Sequence, residues 1–183
     1  MRKFYSDINS ALEHVEVEEN GYASVLGYIK MVKDTVGPHG ARVFFIGNGG
    51  SAAIASHMAA DWMKNGKMPT MCFNDSAALT CISNDLGYGS VFRLPLKAHA
   101  RFGDVLFAVS SSGESLSILN AVSYACDNHL NVVTLSGFQP ENTLRKMGGV
   151  NFYVPSRNYG IVEIAHLSIL HSKYSFDSFL HKA

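Results

Sequence analysis

Two turns rich in glycine and serine most constrain the fold, because each one follows an apolar strand and precedes a helix. The first strand, at residues 43–46, leads into a glycine turn, Gly47-Asn48-Gly49-Gly50-Ser51. The second, at 105–109, leads into a serine turn, Ser110-Ser111-Ser112-Gly113-Glu114-Ser115. Such turns present free backbone N–H groups and hydroxyls at the positive end of a helix dipole, where phosphate binds favourably. We therefore predict a phosphorylated small molecule bound at the edge of a parallel sheet.

Taken alone, the glycine turn is explained by a tight strand-to-helix connection with Ser51 as the cap. It has neither the dinucleotide-binding G-x-G-x-x-G spacing nor the G-K-[ST] ending of a P-loop. The serine turn, however, supplies more hydroxyls at one helix N-terminus than capping requires. Together the two turns favour a binding site over two ordinary caps.

Alternating apolar strands and amphipathic helices predict an α/β fold with a doubly wound, parallel, five-stranded sheet flanked by helices. The predicted strands are 43–46, 70–73, 104–109, 131–135 and 151–154, and the predicted helices of the core are 52–64, 77–84, 115–129, 143–147 and 161–180. Before them, Ser6 or Asp7 caps a first helix, and a second helix covers 22–36. We expect one domain over 1–183, with a helical N-terminal extension (1–40) and an α/β core (41–183). The apolar extension packs either on another subunit or on its own domain.

Composition excludes several classes of function. The 183 residues carry a net charge of +0 and only 16% charged side chains, which argues against nucleic acid and anionic membranes as partners. We expect no transmembrane segment and no signal peptide. Three cysteines without CxxC spacing, Cys72, Cys81 and Cys126, predict reduced core residues of a cytoplasmic protein.

Polar residues on two helices are candidates for chemistry. His57 and Asp61 lie four residues apart and share a helix face, which suits a metal ion, a shared proton or an ordinary hydrogen bond. Glu163, His166 and His171 lie in an otherwise apolar helix and need polar partners. A plain intrahelical hydrogen bond accounts for Glu163 and His166. Glu163 and His171 are roughly 80° apart around the helix axis, so both can face one site.

These motifs, together with Asn84-Asp85-Leu86-Gly87, resemble the sugar isomerase (SIS) domain family and its phosphoheptose isomerase branch. The resemblance covers nearly the whole chain. It implies a flavodoxin-like SIS fold, a homotetramer, and conversion of sedoheptulose 7-phosphate to D-glycero-D-manno-heptose 7-phosphate through an enediol. Family members make this sugar for cell-envelope polysaccharides, and many carry zinc.

The resemblance also implies a role for each matching residue. Asp61 would be the catalytic base and His171 the acid. The phosphate would be bound by Ser110, Ser111, Ser112 and Ser115, the sugar by Asn48, Gly49, Gly50, Ser51, Asn84, Asp85 and Glu163, and one Zn²⁺ per subunit by His57, Asp61, Glu163 and His171.

The chain departs from the family pattern at several positions. Asp61 stands where glutamate is usual, Glu163 where some members have glutamine, and Glu114 where asparagine is common. Residues 156–160, before the last helix, also differ by lacking an aspartate. A carboxylate beside a phosphate site must point away from it, so we expect this of Glu114.

The alternative function is that of a non-catalytic tetrameric SIS adaptor of the kind that associates with the replication initiator. A sugar-phosphate-sensing regulator lacks support, because no helix-turn-helix or basic patch is present.

Overall fold

A computed structural model describes residues 1–19 and 40–172 of the chain. Its centre is a six-stranded sheet in the order β1-β6-β5-β4-β2-β3. The strands are β1 (Glu16–Glu19), β2 (Val43–Gly47), β3 (Thr70–Cys72), β4 (Val105–Ser110), β5 (Asn131–Ser136) and β6 (Val150–Tyr153). Strands β2 to β6 are parallel, whereas β1 pairs with β6 in the antiparallel direction.

Helices surround this sheet. They are α1 (Arg2–Glu13), α2 (Gly50–Lys64), α3 (Ser76–Leu86), α4 (Arg93–His99), α5 (Leu116–Asp127) and α6 (Tyr159–His171), with short 3₁₀ helices at Tyr88–Ser90 and Leu144–Lys146. Within the described ranges, none of these helices combines the length and apolar character needed to cross a membrane.

Successive residues of each central strand face opposite sides of the sheet, which places two apolar cores against it. On one side Phe45 packs with Met58 and Trp62 of α2 and with Leu170 of α6. On the other side Phe44 packs in a cluster with side chains of α4 and α5. Strands β2 and β4 are buried along their whole length on both faces, as their unbroken apolar sequences predict.

The predicted α/β class and the parallel order of the five core strands are confirmed, but the strand count is wrong. The sixth strand, β1, lies inside the region predicted as a helical extension, and the helix at 143–147 is only a 3₁₀ turn. Helix α4 and the 3₁₀ turn before it were not predicted. The predicted helix at 22–36, and residues 173–180 of the last helix, lie outside the described residues. The single-domain assignment stays a prediction.

The N-terminal helix packs on its own chain, which is one of the two arrangements that the sequence allowed. Ala11 is buried in a cluster with Val154, Ile161, Val162 and Ala165. The cysteines are free, as expected. Cys81 and Cys126 are exposed, however, so assigning them to the core was wrong.

Candidate active site

The two turns meet because their strands are neighbours. Strand β2 pairs with β4, and Gly47 lies opposite Val109. The chain leaves β2 toward β3 on one side and returns to β4 on the other, so the carboxyl ends of β2 and β4 flank a crevice of the kind that binds ligands in open α/β sheets. A cavity of about 290 Å³ lies there, lined by Asn48, Gly49, Gly50, Ser51, Ser110, Ser111, Ser112, Ser115, Tyr159 and Glu163.

The glycine turn needs its glycines. Gly49 is the N-cap residue of α2 and has φ 56°, a backbone conformation that residues other than glycine rarely adopt. A Cβ on Gly47 would overlap the backbone carbonyl of Ser51. Helix α2 has no side-chain cap, so its first N–H groups remain available at the cavity.

The serine turn offers hydroxyls that the protein itself does not fully use. Ser115 precedes α5 at the N-cap position, but its side chain makes no capping hydrogen bond. The hydroxyl of Ser111 is buried without a hydrogen-bond partner among the described residues. A buried polar group without a partner is costly. A phosphate oxygen in the cavity would satisfy it.

Asn48 is fixed in orientation by two neighbours. Its Nδ2 donates to the hydroxyl of Ser117 at 3.0 Å. Its Oδ1 accepts from the phenol of Tyr88 at 2.7 Å. One amide hydrogen and one lone pair of Asn48 are therefore left for a ligand.

Glu163 and Tyr159 bring the start of α6 into the same cavity. The carboxylate of Glu163 lies directly over Gly50, where any Cβ would overlap all three of its terminal atoms. Tyr159 packs edge-on against Phe138, with ring centroids 4.7 Å apart. The sequence did not single out Tyr159. Its position could have indicated a place in the site, because Tyr159 lies in the first turn of a helix, directly after the capping residue Asn158.

Further along the same two helices, α2 and α6 bring His57, Asp61 and His171 together. The Nε2 atoms of the two imidazoles are 3.1 Å apart, and His171 Nδ1 lies 3.9 Å from Asp61 Oδ2. One ligand atom from each of the three side chains lies within 4.8 Å of the others. This donor set fits Zn²⁺, because tetrahedral zinc bound by two imidazoles holds their nitrogens roughly 3.3 Å apart.

Glu163 is not part of that group, although the sequence grouped all four residues. Glu163 and His171 are eight residues apart, or about 12 Å along a helix. The paired contacts of Glu163 with Gly50, and of His171 with His57, show that α6 runs in the same direction as α2. The site therefore has two parts: the cavity at the starts of α2 and α6, and the group of His57, Asp61 and His171 further along both helices, which does not line that cavity.

Two other candidate residues do not line the cavity. Asn84 and Asp85 are exposed at the end of α3, where Asn84 donates to Asp85 at 2.9 Å.

The carboxylate of Glu114 points away from the cavity, as expected for a negative charge beside a phosphate site. Its carboxylate accepts two hydrogen bonds from Thr143 and is not among the groups that line the cavity.

His166 has a structural position. It is fully buried and its Nε2 hydrogen-bonds the carbonyl of Ser136 at 3.0 Å. Burial lowers the pKa of His166 to about 4, so the ring is neutral at physiological pH. The predicted intrahelical bond to Glu163 is replaced by this contact with β5.

Comparisons with known proteins agree with this fold. The profile of the SIS domain matches residues 3–137. The phosphoheptose isomerase of Mycobacterium tuberculosis is 37% identical over 139 residues, covering 73% of this chain and 70% of that protein. The phosphoheptose isomerase of Campylobacter concisus is 32% identical over 175 residues, covering 90% and 92%. Phosphoheptose isomerase GmhA from Neisseria gonorrhoeae superposes with a TM-score of 0.81 at 26% identity, covering 97% of this chain and 96% of that chain. The chain belongs to the SIS domain family.

Proposed function

We propose that the protein is an aldose–ketose isomerase that converts sedoheptulose 7-phosphate to D-glycero-D-manno-heptose 7-phosphate, for cell-envelope polysaccharide synthesis. One observation carries the proposal. Helices α2 and α6 run side by side, with a hydroxyl-rich cavity at their starts and an imidazole–carboxylate group further along. The substrate has the same two-ended form, because its phosphate and its reacting carbonyl lie at opposite ends of a seven-carbon chain.

The phosphate binds at the starts of α2 and α5, where the free N–H groups and the hydroxyls of Ser110, Ser111, Ser112 and Ser115 converge. Asn48, whose amide is already oriented, and Glu163 hydrogen-bond the sugar hydroxyls between the two ends. Asn84 and Asp85 stay candidates for the sugar, although they do not line the cavity. This arrangement anchors the substrate by its unreactive end and fixes its position relative to His57, Asp61 and His171.

The proton transfer occurs at the group of Asp61 and His171, further along α2 and α6. Asp61 removes the proton from C1, while His171 donates a proton to the carbonyl oxygen at C2, which gives the enediol. Asp61 then returns its proton to C2, and His171 takes back the proton of the hydroxyl at C1, which leaves the aldose. The separation of 3.9 Å between the carboxylate and the imidazole lets both reach adjacent carbons.

One Zn²⁺ per subunit would be held by His57, Asp61 and His171. When bound, it supplies Lewis-acid stabilisation of the developing oxyanion. Glu163, predicted as a fourth ligand, faces the cavity instead and is assigned to the sugar.

The proposed enzyme is a cytoplasmic homotetramer. Its three free thiols suit a reducing compartment. Leu86, Tyr88 and Leu116 are each more than half exposed, at 59%, 53% and 65%, and such apolar side chains favour contact with another subunit.

The test is an assay of aldose formation from sedoheptulose 7-phosphate, with and without added zinc. Asp61→Asn and His171→Gln should each lower kcat by at least about a hundredfold, since general acid–base groups contribute that much. Asp127→Asn, an exposed aspartate at the end of α5, is the matched control and should match the wild type. Tight sugar-phosphate binding without turnover by the wild type would instead identify a non-catalytic adaptor.

A further inference from the structure

The serine turn is held in place by the segment that follows β5. The N–H of Leu144 donates to the carbonyl of Gly113 at 3.0 Å. Both carboxylate oxygens of Glu114 accept from Thr143, one from the backbone N–H at 2.7 Å and one from the hydroxyl at 2.8 Å. The side chain of Asn142 is buried so close to Gly113 that a Cβ there would overlap its amide. Three consecutive residues therefore contact two consecutive residues of the turn.

We infer that Glu114 and Thr143 form a clamp that orders the phosphate-binding turn before the ligand arrives. Glu114 acts as a positioning residue, because it contacts Thr143 and does not line the cavity. Its backbone N–H donates to the hydroxyl of Ser112 at 3.2 Å, so its placement also fixes that of Ser112. The inference rests on the proposed role of the serine turn as the phosphate site.

The clamp accounts for a glutamate beside a phosphate site. A free carboxylate there would repel the ligand through like charge. Here two donors of one threonine occupy both carboxylate oxygens, in charge-assisted hydrogen bonds at the exposed surface. An asparagine at position 114 would offer only one acceptor oxygen and a shorter arm. Glu114 therefore orders the turn through two acceptor oxygens, which an asparagine does not have.

The expected effect of losing the clamp is on affinity. A turn that is ordered in advance binds without the cost of immobilising it, whereas a loosened turn must be ordered by the ligand. Loss of two charge-assisted hydrogen bonds should raise the Kd for phosphate by about tenfold. The proposed chemistry at Asp61 and His171 is not altered, so kcat should change by less than about twofold.

The experiment measures the Kd for inorganic phosphate and for sedoheptulose 7-phosphate by calorimetry, with KM, kcat and the melting temperature, on the full chain. Glu114→Ala should raise both Kd values and KM about tenfold. Thr143→Val should raise them about threefold, and should add nothing in the Glu114→Ala background because the partner is already gone. Glu114→Gln should stay within about twofold of the wild type, since its amide accepts from the N–H of Thr143 and donates to the hydroxyl.

Glu141→Ala is the matched control. Glu141 lies on the same segment, is exposed, and accepts a hydrogen bond from Lys146 rather than from a residue of the turn. It should leave every quantity unchanged.

Three results would overturn the clamp. The first is an unchanged Kd in Glu114→Ala. The second is additive effects of Glu114→Ala and Thr143→Val. The third is a lowered melting temperature and active fraction with unchanged KM, which would mean a merely structural role. Failure of the proposed phosphate site gives a different result. In that case Ser111→Ala would bind phosphate with the same Kd as the wild type, and both the phosphate site and the clamp would be refuted.

Discussion

Gly50 offers a sharp test of the site, because its replacement separates activity from stability. An alanine there would place its methyl group on the carboxylate of Glu163, which must then retreat by roughly 1 Å to reach ordinary contact distance. Misplacement of a substrate-contacting group by that amount can cost about a hundredfold in rate. We expect Gly50→Ala to lower kcat/KM by ten- to a hundredfold.

Stability should change little. Gly50 is the first residue of α2 and lacks the positive φ of Gly49, so alanine is compatible with its backbone. Alanine has a better helix propensity than glycine, which stabilises the protein by less than about 1 kcal/mol at a helix end. This gain offsets the cost of displacing the side chain of Glu163. The melting temperature should therefore stay within about 4 °C of the wild type.

The assay is steady-state isomerisation of sedoheptulose 7-phosphate beside thermal unfolding of each variant. Ala53→Gly, on an exposed position one turn later in α2, is the matched control, and should lower stability by about 1 kcal/mol without changing kcat/KM. In a Glu163→Ala background, Gly50→Ala should have no further effect, because the displaced group is absent. Full activity of Gly50→Ala in the wild-type background would refute a functional carboxylate at this position.

Three further predictions concern other parts of the molecule. Asp61→Asn should weaken Zn²⁺ binding in equilibrium dialysis by at least about tenfold, whereas Asp127→Asn should not; equal affinities would rule out the proposed ligand set. Tyr88→Phe frees the amide of Asn48 and should raise KM about fivefold with kcat nearly constant, and an unchanged KM would contradict this orienting role. His166, with a folded pKa of about 4, stays neutral while the unfolded chain takes up a proton below pH 6.5. Between pH 6.5 and pH 4 the free energy of unfolding should therefore fall by about 3 kcal/mol as the pH decreases. His166→Gln should flatten this pH dependence.

The sequence predicted the central strands because their signal is local and strong. Buried parallel strands carry unbroken apolar runs, and each ends in a turn whose glycines or serines mark the boundary. Helix α4 escaped prediction for an equally local reason. It contains Pro95 at its third residue, which is tolerated in a first turn but argues against a helix when read from sequence alone.

Strand β1 could not be predicted, because its stability comes from distant residues. Its sequence Glu-Val-Glu-Glu has little β-propensity. The guanidinium of Arg145 bridges Glu16 and Glu18 at 2.8 Å each and also stacks on Tyr153 of the neighbouring strand. The ion pair between Arg145 and Glu16 joins residues 129 positions apart, so the strand it stabilises has no periodic pattern in its own sequence.

The candidate site was predicted in its parts but not in its arrangement. Helical spacing placed His57 with Asp61, and Glu163 and His171 within reach of one face of α6. It could not show that Glu163 would lie over Gly50, since that contact depends on how α6 packs against α2. Because the two helices run in the same direction, the four side chains are distributed along them, whereas the sequence grouped all four at one point.

This distribution depends on the apolar core beneath it. Met58 and Leu170 are buried in the same cluster, and each directly adjoins a histidine of the polar group in the sequence. The side chains that hold α2 against α6 therefore also set the distance between His57 and His171. Because packed interiors resist even small shifts, the separation between the turns and the imidazoles is a fixed length. Under the proposed function, a ligand anchored by its phosphate at the turns would reach the imidazoles only if its carbon chain spanned that length, so the packing of α2 on α6 would select the substrate by length.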